Sequence, residues 1–203
     1  MQPPKTTKHE IGVNLLDQDD ISFPTDDPAS AHKLIGEAVQ EHLSDGSKLI
    51  SLGGDHSITY PIIEVFNKVY PELHILHFDA HADIYENFQD NYYSHASPFA
   101  RIMENNLATS LTQVGIRTLT THQREQIKKY QVRVVEMKAF NLDFIQKLSG
   151  PLYISFDLDV LDPAYASGVS HQEPGGLSVR SALACLQNLD VNIVGADIVE
   201  YNP

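Results

Sequence analysis

Three short, mostly apolar runs, at 49–52, 74–78 and 152–156, each lead straight into a stretch bearing histidine or aspartate. Those stretches are GGDHS (53–57), FDAHAD (78–83) and SFDLDVLDP (155–163). Apolar runs this short suit strands buried on both faces, as in a parallel sheet covered by helices. Further strands are expected at 113–116, 132–136 and 192–197, with helices at 61–69, 98–104, 122–130, 142–148 and 179–189. Before them comes a helix opened by Asp27-Pro28, with Ala31, Leu34, Ile35, Ala38, Val39 and Leu43 at helical spacing up to Asp45-Gly46. Ser97-Pro98 reads as a second cap followed by proline, and Thr120 with Gln123 as a capping box. The alternation predicts an α/β protein: a three-layer α/β/α, doubly wound, mostly parallel sheet. Residues 1–203 read as one domain, with 1–25 as an irregular arm that has a short apolar patch at 11–16.

In such a sheet all strands end on one edge, and sites lie outside their carboxyl ends. Asp79, His81 and Asp83 are spaced by two, so an extended segment presents all three on one face. Asp157 and Asp159 repeat that spacing, and Gly53-Gly54 let the chain turn so that His56 emerges at another strand end. Four carboxylates crowded together raise one another's pKa and resist full ionisation. Two divalent cations remove that conflict, and a ligand set of mostly oxygen with some imidazole favours manganese or a similar hard metal. Metals about 3.5–4 Å apart can share a water and bring its pKa toward neutrality. His56, Asp79, His81, Asp83, Asp157 and Asp159 are therefore the expected metal ligands. A solvated acidic rim would not explain paired acids placed directly after apolar strands.

Composition narrows the partners. The formal charge of −13 opposes a nucleic-acid surface and suits a cationic small molecule. No apolar stretch is long enough for a membrane span, and the opening residues lack a signal core or an Arg-rich transit pattern. A cytoplasmic location is expected. The single cysteine, Cys185, reads as a small buried residue.

The quoted stretches, together with NYYSHASPFARIM, QVGIR, GVSHQEPGGLS and GADIVEYNP, resemble the ureohydrolases, the family of arginase and agmatinase. The likeness is strongest to plant-type arginases and their bacterial relatives, and runs from about residue 49 to the end. It implies an arginase-like fold, two Mn2+ bridged by hydroxide on the six ligands above, and a homo-oligomer, trimeric or hexameric. It also implies that Asp83 orients the hydroxide, that His95 shuttles a proton, and that Glu200 pairs with the substrate guanidinium. The implied reaction hydrolyses a guanidino compound to urea and an amine. Against the family pattern the chain looks shortened at its start and lacks a C-terminal helix.

Animal-type arginases place an asparagine where this chain has Tyr85, and acids where it has Thr118 and Thr120. L-arginine is favoured on the plant-type loop, with agmatine as the alternative and Asn91 as a reader of the substrate tail. Asp162-Pro163 reads as a turn, His77 as core with an outer partner of the ligands as its alternative, and His171 as a structural hydrogen-bonding residue with a place in the pocket as its alternative. Three competitors are weaker. A dinuclear phosphoesterase would show its stretches in another order, and a single-zinc deacetylase would need a histidine pair that is missing. The third is a metal-binding but inactive partner subunit.

Overall fold

The computed structural model describes residues 6–8, 14–44 and 46–202. The expectations that touch 11–13, Asp45 and Pro203 lie outside these residues. A small antiparallel ribbon pairs β1 (Thr6–Lys8) with β2 (Asn14–Leu16). Residues 17–25 follow as exposed, irregular chain. Helix α1 (Pro28–Leu43) begins as expected: the Asp27 carboxylate accepts the Ser30 N–H at 2.9 Å, and proline occupies the first turn. Such a cap contributes about 1 kcal/mol.

The main sheet has six strands: β3 (Leu49–Leu52), β4 (His74–Phe78), β5 (Ser110–Ile116), β6 (Arg133–Glu136), β7 (Leu152–Asp157) and β8 (Ile193–Val199). Their spatial order is β3-β8-β7-β4-β5-β6, and every pairing is parallel. The chain runs outward through β4, β5 and β6, then returns to insert β7 and β8 between β4 and β3. That reversal sets the ends of β4 and β7 side by side, with β3 further along the same edge, beyond β8. Successive residues of each strand face opposite layers. Ile75 and Tyr153 join Ile35 and Val39 of α1, Ile62 and Phe66 of α2 (Thr59–Val69), and Phe99 of α3 (Pro98–Glu104). Leu76 and Ile154 join Ala182 and Cys185 of α5 (Val179–Gln187) on the other face. Cys185 is a buried, free thiol. Burying a side chain as large as Phe66 stabilises by roughly 1.5–3 kcal/mol, and Phe66 is only 1% exposed. Among the described residues no helix is long and apolar enough to cross a membrane.

Three local expectations need correction. β3 is not covered on both faces: Ile50 and Leu52 are 62% and 75% exposed, because it is an edge strand and α5 packs further in over β4 and β7. Residues 142–148 do not form an α-helix but a 3-10 turn, Leu142–Lys147, opened by Asn141. Phe144 is its one buried side chain, with Ile145 and Leu148 partly buried against the same cluster. Ser97 stands at the N-cap position before Pro98 as expected, but its side chain accepts no cap hydrogen bond and its buried Oγ has no partner. The carbonyl of Asp83 takes the Phe99 N–H at 3.2 Å instead, which docks the helix start onto the FDAHAD segment. The Thr120–Gln123 capping box of α4 (Thr121–Lys129) is present in both directions.

The β5–β6 register shifts between Val114 and Ile116, across Gly115 at φ +98°. A Cβ at Gly115 would stand 2.4 Å from Val160 Cγ2 and 2.9 Å from the Asp79 carbonyl oxygen. Gly115→Ala therefore combines a left-handed backbone with overpacking against the segments that hold Asp79 and Val160. It should lower stability by on the order of 3 kcal/mol, read from the midpoint of chemical denaturation. An unchanged midpoint would show that this close approach is not needed.

Candidate metal centre

Each of the three stretches is organised by its own backbone. Beyond β4, the Asp79 N–H donates to the Val114 carbonyl at 3.0 Å, holding the chain to β5 for one more residue. The Asp79 Oδ1 then accepts the His81 N–H at 2.6 Å. Beyond β7, Asp157 Oδ1 accepts the Asp159 N–H at 2.7 Å. The two stretches are joined directly, since Asp159 Oδ1 accepts the Ala80 N–H at 2.9 Å. After β3, Gly53 and Gly54 take φ values of +143° and +38°, and Asp55 caps the 3-10 turn that begins at His56. Asp55 is thus a capping residue outside the cluster. Asp83 and Glu200 sit at φ 44° and 61°, a conformation costing on the order of 1 kcal/mol or more for such residues.

The six expected ligands come together. His56 Nδ1 lies 3.2 Å from Asp79 Oδ2, 3.1 Å from Asp83 Oδ2 and 3.1 Å from Asp157 Oδ2. His81 Nδ1 lies 2.9 Å from Asp159 Oδ2 and 3.4 Å from Asp79 Oδ1. Two groupings follow, His56-Asp79-Asp83-Asp157 and Asp79-His81-Asp159, each with ligand atoms within 4.8 Å of one another. Asp79 belongs to both, offering one oxygen to each. His56 Nε2 is engaged by Ser155 Oγ at 2.9 Å, while its Nδ1 is buried without a hydrogen bond. An imidazole nitrogen left bare among three carboxylate oxygens fits a divalent cation. The oxygen-rich donor set suits a hard one such as Mn2+.

The remaining expected residues separate. Glu200 follows β8, and its Oε1 accepts the His56 N–H at 3.1 Å. Glu200 and His95 line a cavity of about 140 Å³ with His81, Asp83, Asp157 and Asp159. Tyr85, Thr118, Thr120 and Gln123 complete much of its wall. Asn91 does not line it; this exposed residue spends its Oδ1 on the Tyr93 N–H at 3.0 Å. His171 does: its ring stands 5.4 Å from that of His81 and 6.5 Å from that of His95, so the pocket reading holds over the structural one. Asp162 is the expected turn, accepting N–H groups from Ala164, Gly175 and Gly176. A larger groove of about 360 Å³ between α1 and α2 contains the His32–Glu64 pair but none of the groupings of three or more ligands found among the described residues.

Three outer residues, Ser155, Asp197 and Arg117, escaped the reading of the sequence, and His77 takes its alternative role over the favoured one. His77 is not inert core: its Nε2 lies 2.8 Å from Asp79 Oδ2. Ser155 Oγ links His56 to the buried Asp197 at 2.7 Å. Arg117 is directed at backbone carbonyls, donating to Asp159 at 2.6 Å and Glu173 at 2.7 Å. An aspartate inside the apolar run of β8 was the available signal.

Without cations the cluster must hold protons. Burial, then the Asp79 charge, pushes Asp83 up to about 6 and raises Asp157 well above the usual carboxylate range. Burial pulls His81 down, but Asp159 and Asp79 outweigh it and raise the imidazole to about 11. Burial also opposes a charge on His56, and Asp157, Asp79 and Asp83 overcome it. Burial dominates at His77, which falls to about 4 and stays neutral despite Asp79.

The chain is similar to known proteins in sequence and in fold. The family model described as Arginase family matches residues 2–203. The mitochondrial arginase of Medicago truncatula is 52% identical over 168 residues, covering 78% of this chain and 49% of that protein. An N(1)-aminopropylagmatine ureohydrolase of Thermus thermophilus is 37% identical over 202 residues, covering 96% of this chain and 68% of that protein. The solved arginase from Medicago truncatula superposes with a TM-score of 0.82 at 46% identity, covering 88% of this chain and 59% of that one. The chain thus spans about half the length of the curated plant relative it matches.

Protonated His56 and His81 cannot bind metal through the same nitrogens. Mn2+ binding at neutral pH should therefore release protons, and affinity should strengthen between about pH 6 and 8. Calorimetry in buffers of different ionisation enthalpy measures this directly. Affinity independent of pH, with no proton released, would exclude the six residues as the binding site.

Proposed function

The chain belongs to the arginase family, and on that premise we propose that it is a two-metal ureohydrolase, cleaving L-arginine to urea and ornithine. The observation that carries this reading is the bare His56 Nδ1 set among Asp79, Asp83 and Asp157, beside the second grouping around His81. His56, Asp79, Asp83 and Asp157 would hold one Mn2+, and His81 and Asp159, with Asp79, the other. Bound there, the pair supplies Lewis acidity and a water of lowered pKa as the nucleophile.

The chain's own residues supply the rest. A guanidinium is a poor electrophile because its charge is delocalised, so its orientation matters more than its activation by any single group. Glu200 commits one oxygen to the His56 N–H and keeps its remaining lone pairs for guanidinium donors. Its left-handed backbone is an unusual conformation held at the end of β8, which supports a role in substrate placement. Asp83 stands on the same wall and would accept a proton from the attacking water. His95, half-buried across the cavity, is the group to hand a proton to the departing amine. Thr118, Thr120 and Gln123 offer neutral donors and acceptors to the far end of the substrate.

A second reading, agmatine, has two supports, the first being that no lysine or arginine is among the residues lining the cavity to meet an α-carboxylate. The 37% identical Thermus thermophilus relative is also named for a derivative of agmatine.

The test is urea release with Mn2+ against both compounds, run beside Asp157→Ala. L-arginine should be turned over with the higher kcat/KM, and Asp157→Ala should lose at least ~10³-fold, as expected when a ligand carboxylate and its metal are lost. Two Mn2+ bound with no urea from either compound would overturn the hydrolase reading. A preference for agmatine would replace L-arginine as the substrate.

A further inference from the structure

Asp79 is the carboxylate shared by the two groupings, and its own orientation depends on a chain of three buried donors and acceptors. The side chain of Gln113, on β5, lies across from His77 on β4; the two are register partners. Gln113 Nε2 is 2.6 Å from the Ala82 carbonyl oxygen and 3.1 Å from His77 Nδ1. His77 Nε2 is 2.8 Å from Asp79 Oδ2. Gln113, His77 and Asp79 are each 0% exposed.

The direction of every hydrogen bond in this chain is forced. A backbone carbonyl can only accept, so the amide nitrogen of Gln113, not its oxygen, must face Ala82. Rotating the amide would set oxygen against oxygen at 2.6 Å. That constraint holds even though it leaves Gln113 Oε1 buried without a partner. The second N–H of the same amide then points at His77 Nδ1, which must accept. Nε2 therefore carries the hydrogen and donates it to Asp79. The ring cannot swing away, because it is stacked on Phe99 at 3.9 Å between centroids and 28° between planes.

We propose that Gln113 and His77 form a positioning relay that presents Asp79 as a bridging ligand. Each Asp79 oxygen has two lone-pair sites. Oδ2 receives His77 Nε2–H and Oδ1 receives the His81 backbone N–H at 2.6 Å. One lone pair per oxygen is left, and each is directed at a different grouping. This inference rests on the metal-centre reading above. It also decides a competing arrangement, since His77 groups with His56 and Asp79 closely enough to be a ligand itself. With Nδ1 taken by Gln113 and Nε2 by Asp79, the relay gives His77 no free nitrogen.

The experiment measures Mn2+ binding by calorimetry on the intact chain, wild type beside His77→Phe and His77→Gln. Phenylalanine keeps the stacking and removes the donor. Glutamine returns an N–H near the Nε2 position. His77→Phe should still bind two Mn2+ with affinity weakened roughly 10–100-fold, the usual cost of losing an outer partner of a metal ligand, and His77→Gln should recover most of that. Unchanged affinity in His77→Phe overturns the relay. Loss of one Mn2+ in both variants also overturns it, because His77 would then be a ligand. Should His77→Phe fail to fold, nitrogen-15 spectra of His77 in the metal-free wild type decide the matter. Nε2–H alone supports the relay, and Nδ1–H or an imidazolium overturns it. Wild-type protein that binds two Mn2+ without releasing urea would sink the proposed reaction and leave the relay standing.

Discussion

The carboxylate of Asp79 meets three imidazoles at once: His77 Nε2 at 2.8 Å, His56 Nδ1 at 3.2 Å and His81 Nδ1 at 3.4 Å. It does so at 0% exposure, in the company of Asp83, Asp157 and Asp159. Water cannot screen these charges, so their number must be balanced locally. Protons can do this, and the upward shifts of Asp83, Asp157, His81 and His56 express that solution. Cations do it with less conflict, because one divalent ion satisfies several oxygens and a bare imidazole nitrogen together. The cluster is thus a set of negative charges whose stability depends on whatever positive charge occupies it.

The fold's contribution is to bring chain segments of very different sequence position to that point and hold them rigidly. Parallel pairing aligns the ends of β4 and β7, and the β5 bulge at Gly115 lets the Asp79 carbonyl pass close to the next strand. Arg117 then ties the turn after β7 to the 171–176 loop through the carbonyls of Asp159 and Glu173. Guanidinium donors directed at backbone carbonyls fix loop position without adding a carboxylate to a site that already has too many.

Much of this was legible in the sequence, for a specific reason. Spacing by two drew attention to Asp79, His81 and Asp83, and then to Asp157 and Asp159, and these residues do converge, but not along extended chain: residues 80–81 bend, Asp83 sits at φ 44°, and Asp159 lies in a 3-10 turn, Leu158–Val160. Apolar runs marked every strand of the main sheet, with errors of a few residues at their ends: β5 begins at Ser110, and β8 runs on to Val199. What was lost depends on neighbours distant in sequence. Nothing in NYYSHAS (91–97) distinguishes His95, which faces the cavity, from Asn91, which turns back onto Tyr93. His171 lies on the cavity wall only because Asp162 and Arg117 hold its loop there. The exposure of Ile50 and Leu52 follows from the order of strands in the sheet, which local periodicity does not encode.

The two ligand groupings differ in access, and that difference orients any chemistry between them. His56 and Asp79 are wholly buried and absent from the cavity wall, and His56 is backed by Ser155 and Asp197. His81, 20% exposed at its side chain, and Asp159 stand on the wall itself. Asp83 and Asp157 reach the same wall from the inner grouping. A molecule entering the cavity therefore meets His81 and Asp159, with Asp83 and Asp157, between His95, His171 and Glu200, while His56 and Asp79 lie behind them. The inner half is over-determined by hydrogen bonds and suits retention of an ion. The outer half keeps open surface beside titratable groups, the side that the proposed substrate would meet.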